Sequence, residues 1–302
     1  MKSNALKPLT VAVLAASTTG LAGCFSSSSD GGDGNFSLGL TDAPIQDLTA
    51  VNIAVTGVEL QPNSGDRLSF EFDETKDINL LDFQNGESVS LLEGEDVPAG
   101  DYKWMRLMLN EDNLTVEETD GSVGDVFVPS GAQTGLKTNG FTVAQGSNTD
   151  YTIDFDVSKS IVNPQSNNNP QNADYFLRPV LRLVNNLETG KISGEVDPTL
   201  MSDMDCGNEL GSVYVFSGAD ATVGDLGSDN EPLITAKVVS DEETGNHRYT
   251  AAFLEEGEYT VSYTCDADDN EEAEDTINFA PAEKGVTVTA GETTELNLTS
   301  NQ

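Results

Sequence analysis

Basic residues are scarce in this chain. Fourteen Lys and Arg stand against 52 Asp and Glu in 302 residues, a net charge of −38 at pH 7. Such a field repels nucleic acids and anionic membrane surfaces, which excludes DNA and RNA as partners. Histidine occurs once, at His247. A zinc site built from several histidines is therefore excluded within one chain, and a Ser-His-Asp triad would have to use this residue. No serine near it lies in a nucleophile-elbow sequence. No glycine-rich phosphate loop occurs, no repeat of fixed period, and no long amphipathic helix beyond the N-terminal segment. Hydrophobic residues make up only 37%. Even so, Val, Thr, Tyr and Phe recur at alternating spacing, so the chain is expected to fold.

The N-terminus carries the clearest signal. Lys2 and Lys7 precede an apolar stretch, Leu9 to Ala16, and small residues follow as far as Leu21-Ala22-Gly23-Cys24. A basic start, a short apolar core and small residues before a cut site describe a secretory signal peptide. The stretch is too short for a membrane span, which needs about 20 residues. The last four residues resemble the lipobox of bacterial lipoproteins. The resemblance implies cleavage before Cys24 and a diacylglycerol on its sulfur, and two or more acyl chains anchor stably where one does not. Residues 24–35, with Ser26 to Ser29 and the Gly-rich stretch after them, read as a flexible tether. Phe25 is not an inner-membrane retention signal, so by analogy with Gram-negative lipoproteins the destination is the outer membrane. The acidity reads first as adaptation to a salty, marine or halophilic setting where charge is screened. A sharper reading is binding of calcium or of cationic ligands.

With Cys24 assigned to lipid, Cys206 and Cys265 remain. An even pair in an exported protein favours a disulfide. Most of the chain reads as strand. Val51, Ile53 and Val55 alternate with polar or small neighbours, and Gly57 then shifts the phase to Val58 and Leu60, which predicts a bulge. Leu68, Phe70 and Phe72 alternate, as do Tyr151, Ile153, Phe155 and Val157. Phe176 to Val184 reads as strand. Asn185 to Gly190 looks like a boundary, and beyond it six short strands follow at sandwich-like spacing, from Ile192–Val196 to Leu296–Leu298. Tyr259, Val261, Tyr263 and Cys265 share one parity and should face one core. The expected fold is mainly β: two antiparallel β-sandwich domains, residues 36–189 and 190–302, behind signal peptide 1–23 and the tether.

Several stretches together resemble a known family. They are Gly39-Leu40-Thr41-Asp42-Ala43-Pro44, Val97-Pro98-Ala99-Gly100-Asp101-Tyr102 with Arg106-Leu107, and Val128-Pro129-Ser130-Gly131 through Gly135-Leu136-Lys137. Asp154-Phe155-Asp156 with Lys159-Ser160-Ile161, Leu177-Arg178-Pro179-Val180 and Gly190-Lys191-Ile192-Ser193-Gly194 complete the set. In this order they are similar to the bacterial lipoprotein domain of unknown function numbered 4382, over about residues 36–195. That family implies no activity. Residues 191–302 resemble the carboxypeptidase regulatory-like, or transthyretin-like, sandwich. Here the carriers are Gly190 to Val196, Glu256-Gly257-Glu258-Tyr259-Thr260-Val261 and Val286 to Thr294. Glu256 stands where the usual pattern has proline. Such modules are accessory domains.

The candidate ligand or ion-pair residues are Asp42, Arg106, Lys137, Asp154, Asp156 and Arg178. Asp154 and Asp156 form a carboxylate pair on one strand face. Such a pair serves glycoside hydrolysis at the right separation. The favoured reading is that the two meet Arg106, Arg178, Arg182 or Lys159 in structural ion pairs, ahead of ligand binding and of catalysis. Asp42 reads as a turn cap. Asp266, Asp268 and Asn270 mimic the first positions of a calcium loop, but Glu271 replaces the required glycine and Ile277 the final glutamate, so an EF-hand is rejected; the default reading is a solvated acidic hairpin tip, with a looser calcium site as the alternative. No other cofactor is implied. The function read from the sequence is a non-enzymatic envelope lipoprotein acting as a surface binding or structural and adhesion module toward a glycan, matrix polymer or surface protein. A hydrolase using Asp154 and Asp156, and a calcium-stabilised surface module, are the alternatives.

Overall fold

The computed structural model describes residues 32–43, 48–129, 136–163, 173–241, 243–268 and 276–300. The signal peptide, Cys24, most of the tether and Asn270 lie outside these residues. In chain order the first strands are β1 (Asp33–Ala43), β2 (Leu48–Pro62), β3 (Leu68–Asn79), β4 (Val89–Pro98), β5 (Gly100–Leu109), β6 (Thr115–Glu118) and β7 (Val123–Phe127). Then come β8 (Leu136–Lys137), β9 (Phe141–Val143), β10 (Asn148–Asp156), helical turn α1 (Val157–Ser160), β11 (Ile161–Val162), β12 (Tyr175–Leu177) and β13 (Leu181–Asn185). They build two facing sheets. One has the order β13-β10-β1-β4. The other runs β11-β12-β7-β6-β2-β5-β8, with β3 added to β2 and β9 to β5.

Alternation decides which side chains enter the core between them. Phe36, Leu38 and Leu40 of β1, Ile153 and Phe155 of β10, and Met105 and Leu107 of β5 are all at most 1% exposed. Burying a side chain of this size stabilises by about 1.5–3 kcal/mol. On β2 the buried set is Val51, Ile53 and Val55, then Val58 and Leu60. The phase changes where the pairing with both β3 and β5 slips between Val55 and Gly57, the bulge expected there. A Cβ at Gly57 would lie 2.4 Å from the Phe70 carbonyl oxygen, so only glycine admits so close an approach.

A single 3₁₀ turn, Asn186–Glu188, joins β13 to the second set of strands. These are β14 (Thr189–Glu195), β15 (Ser212–Ser217), β16 (Ile234–Lys237), β17 (Val239–Ser240), β18 (His247–Glu255), β19 (Gly257–Thr264), β20 (Glu283–Val288) and β21 (Thr293–Glu295). A short helix, α2 (Pro198–Asp203), follows β14. It starts at Asp197, whose carboxylate accepts from the Thr199 N–H, with Pro198 in the first turn. The sheets are β17-β18-β14-β21 and β16-β15-β19-β20, and they enclose a second core around Val213, Val215, Tyr249, Val261 and Tyr263.

The chain is mainly β, as the alternation predicts. Antiparallel pairs dominate, but β1 with β10, β7 with β12, and β14 with β21 run parallel. Alternation fixes which face is buried and leaves strand direction open. Three local differences from the expected strands have identifiable causes. Val157 leaves the strand because Asp156 accepts from the Lys159 N–H and starts α1. Pro179 separates β12 from β13 where one strand was expected. Leu296–Leu298 gives way to β21 just before it, and Leu298 contributes an isolated bridge to Val196. Cys206 and Cys265 are joined by a disulfide that ties the segment after α2 to the end of β19. Residues 31–302 make one compact unit. Among the described residues no helix is long and apolar enough to cross a membrane.

Candidate functional site

The outer face of the β2–β5–β8 sheet gathers three of the chain's fourteen Lys and Arg residues around one ring. Met105 and Leu107 point into the core, so Trp104, Arg106 and Met108 take the opposite parity. Register brings Gln61 beside Trp104, Glu59 beside Arg106, and Arg106 beside Lys137. Arg67, in the turn between β2 and β3, reaches back over the same face. Around the indole of Trp104, the chain's one tryptophan, stand the Lys137 ammonium at 4.6 Å and the guanidinium carbons of Arg67 and Arg106 at 5.3 and 5.6 Å from the ring centroid. Cations within about 6 Å of an aromatic face are held by its quadrupole, worth about 0.5–1 kcal/mol each at exposed sites.

One carboxylate sits among them. Glu59 is buried, pairs with Arg106, and accepts from Arg67 Nη1 at 3.3 and 3.2 Å. Three cations against one carboxylate leave a local charge of +2 in a chain of −38. Lys137 is exposed and the Arg67 side chain is 46% exposed, so both heads meet solvent above a rigid aromatic floor. Planar guanidinium forks match carboxylate and sulfate groups. Arg106 and Lys137 were singled out from the sequence. Trp104 and Arg67 were not, although a lone tryptophan flanked by Lys103 and Arg106 in so acidic a chain was a usable signal.

The carboxylate pair of β10 lies elsewhere, in a cleft of about 550 Å³ between the two cores, lined also by Lys159, Arg182, Phe216 and Glu231. Asp154 is buried, and its Oδ2 accepts from Arg182 Nη2 at 2.7 Å and Nε at 3.2 Å. The same guanidinium donates to the Phe253 carbonyl at 2.8 Å, so Arg182 ties β13 to β18. Asp156 Oδ1 accepts from Ser158 Oγ at 2.6 Å and from the Lys159 N–H at 3.2 Å. Its carboxyl is held above the usual range by burial, with Lys159 opposing. Lys159 Nζ lies 3.7 Å from Asp156 and 3.3 Å from Glu231, and donates to the Pro232 carbonyl at 3.0 Å. Both carboxylates thus answer cations that also grip the second core. Arg178 is exposed, away from the pair, and makes no ion pair among the described residues.

Asp42 differs from the local turn cap expected of it. It is buried at the end of β1. Oδ1 accepts from the N–H of Val157, the first residue of α1, at 3.2 Å, and Oδ2 from Gln84 Nε2 at 3.4 Å. Burial pushes its carboxyl well above the usual range, and Asp154 and Asp156 add to the effect against those two hydrogen bonds. Asp266 and Asp268 turn to protein partners. Asp266 Oδ2 accepts from the Asn278 N–H at 2.7 Å, and Asp268 Oδ2 from Tyr214 at 2.8 Å and the Leu226 N–H at 3.0 Å. His247 Nδ1 lies 3.1 Å from Ser240 Oγ on adjoining strands, with no carboxylate bonded to the ring among the described residues.

No curated protein matches the chain. Among solved structures, a candidate adhesin from Bacteroides ovatus aligns at 9% identity over 93% of this chain and 99% of its own, with a TM-score of 0.21. A minor pilin of Streptococcus agalactiae aligns at 9% identity over 87% and 94%, with a TM-score of 0.19. A candidate cell adhesion protein from Bacteroides fragilis aligns at 9% identity over 95% and 89%, with a TM-score of 0.21. Superposition at such scores does not establish a shared fold. The family comparison is specific: residues 33–179, from the start of β1 to the proline after β12, match the model described as "Domain of unknown function (DUF4382)", and that stretch of the chain is a DUF4382 domain.

Proposed function

We propose that this protein is a non-enzymatic cell-envelope lipoprotein, tethered through Cys24, that binds an anionic glycan on the outer face of β2, β5 and β8. The observation that carries the reading is the convergence of Arg67, Arg106 and Lys137 on Trp104. An indole offers an apolar platform for a sugar ring, and the cations answer a uronate or sulfate group beside it. At 0.15 M ionic strength the screening length is about 8 Å, so the patch acts over contact distance while the chain's distant negative charge is damped. Binding is then strongest at intermediate salt: whole-chain repulsion opposes it at low salt, and screening of the patch at high salt. The engagement of Asp154 with Arg182, and of Asp156 with α1, argues against the hydrolase alternative. The resemblance of residues 190–302 to a regulatory-like sandwich supports an accessory role for the second core.

Calorimetric titration with a polyuronate, a sulfated glycan and a neutral glucan tests the reading. Binding of an anionic polymer, weakened at least tenfold in Trp104→Ala and in Lys137→Glu, is the expected result. Equal affinity for the neutral glucan, or full affinity in Trp104→Ala, would refute it. Intact mass of the membrane-extracted protein should show cleavage before Cys24 and a diacylglycerol adduct, with Cys24→Ala released from the membrane.

A further inference from the structure

Asparagine precedes glycine at two places in the chain, Asn85-Gly86 and Asn139-Gly140. Glycine has no side chain to shield its backbone nitrogen, so that nitrogen can reach the amide carbon of the asparagine before it. The two pairs sit in opposite surroundings. Asn85 and Gly86 form the centre of a two-residue turn, both in left-handed backbone with φ of 56° and 89°. The Glu87 N–H closes the turn by donating to the Gln84 carbonyl at 3.1 Å. The pair lines a small cavity of about 20 Å³ where the two cores meet, beside Asp42 and Asp154 and opposite Thr235. Asn85 Oδ1 is buried, and a Cβ on Gly86 would sit 3.1 Å from that of Ala252. Any rotation of this turn has to break its hydrogen bond and lift it off the second core.

Asn139 and Gly140 are exposed, in the short link between β8 and β9. The Thr138 N–H donates to the Met105 carbonyl at 2.9 Å and its hydroxyl to the Asn139 carbonyl at 3.0 Å. Position 140 requires glycine, because a Cβ there would lie 2.6 Å from the Tyr102 carbonyl oxygen. Among the described residues neither the Gly140 N–H nor the Asn139 side-chain amide makes a hydrogen bond. The attacking nitrogen is open and its target is untethered. Lys137 is exposed, Thr138 buried and Asn139 exposed, so Asn139 shares the outer face with Lys137, about 7 Å along the chain.

We propose that Asn139 is a site of spontaneous deamidation, which sets a negative charge at the rim of the Trp104 face. The Gly140 nitrogen, giving its proton to water, attacks Asn139 Cγ. The new N–Cγ bond closes a five-membered succinimide, and the Cγ–Nδ2 bond breaks with Nδ2 leaving as ammonia. Water then opens the ring at either carbonyl, giving aspartate or isoaspartate. No oxidant or enzyme is needed. The consequence for binding rests on the anionic-glycan reading of this face. One added negative charge lowers the local +2 of Arg67, Arg106, Lys137 and Glu59 to +1. The new charge falls within the screening length of about 8 Å, and at about 7 Å in water it weakens the hold on an anion about threefold.

The test is peptide mass mapping of the full chain aged at mildly alkaline pH, with isoaspartate detected by enzymatic methyl transfer. The mass gain of amide-to-acid conversion is expected at Asn139, at least tenfold faster than at Asn85. In urea, where the fold no longer separates the two pairs, the rates should converge. Equal rates in the folded chain, or a gap that persists in urea, would overturn the assignment. Asn139→Gln, which closes the ring far more slowly, should abolish the conversion at this position. Calorimetry with a polyuronate reads the consequence: Asn139→Asp should bind about threefold more weakly than Asn139→Gln. Equal affinity of the two variants would overturn the link to the Trp104 face. A wild type that binds no polyuronate would instead defeat the glycan reading, and the conversion rates alone then decide the modification site.

Discussion

Removing the disulfide should separate the two cores in a denaturation experiment. The bridge closes a 59-residue loop lying wholly within the second core, between the segment after α2 and the end of β19. Loop-closure entropy for that length corresponds to about 4 kcal/mol of stabilisation. The perturbation is the double variant Cys206→Ala/Cys265→Ala, which also removes the contact of Cys206 Sγ with the Tyr263 hydroxyl at 3.4 Å. Trp104, the chain's single tryptophan, sits on β5 of the first core, so tryptophan fluorescence follows that core alone. Urea unfolding read by fluorescence should keep its midpoint. Read by far-UV circular dichroism, it should split, with the second core losing about 4 kcal/mol. A loss below about 1 kcal/mol would refute the entropy argument. An equal shift in both signals would refute the independence of the cores, and would mean that Arg182, Lys159 and the shared cavity couple them into one cooperative unit.

Other substitutions probe single features. Arg182→Ala leaves Asp154 buried without its cation and should cost about 3 kcal/mol, measured by chemical denaturation. Asp42 has a folded-state pKa above its unfolded value, so its contribution to stability is present below the unfolded value and is lost as pH rises through the folded one. Asp42→Asn should therefore gain on the wild type in thermal midpoint as pH rises from acid toward neutral, and a flat difference curve would contradict the raised carboxyl. A Cβ at Gly194 would fall 1.7 Å from the Leu296 carbonyl oxygen, so Gly194→Ala should push the chain after β21 off β14 and cost about 2 kcal/mol by denaturant titration.

The alternating pattern made the strands of the first core readable, including the phase break at Gly57, because one face of each strand is buried and the other wet. Strand β19 was only half legible. Tyr259, Val261 and Tyr263 face the main second core as expected, but Thr260, Ser262 and Thr264 are also fully buried. Their hydroxyls donate to the carbonyls of Gly218, Ala280 and Asn278, and Tyr214, Phe216 and Leu226 form a third small apolar layer. Polar residues that satisfy themselves in this way look like a solvent face in sequence. The candidate site was partly legible for a related reason. Arg106 and Lys137 stood out as rare cations within motifs, but the Trp104 ring that gathers them is 33 positions away from Lys137 along the chain and was invisible until β8 paired with β5. The junction cavity could not be read at all, since Asp42, Asn85, Asp154 and Thr235 are brought together only by the docking of two cores.

Strand β1 has a mechanical consequence. It is the first strand after the N-terminal segment and lies between β10, which runs parallel to it, and β4, which runs antiparallel. A pull on its N-terminal end acts along the strand and loads the hydrogen bonds on both flanks together, in shear, instead of peeling them one at a time. Resistance to such a pull is governed by the rate of unfolding and not by equilibrium stability. A domain held by its N-terminus in moving water, gripping a polymer on the face of β5, would thus carry the drag through its best-secured strand.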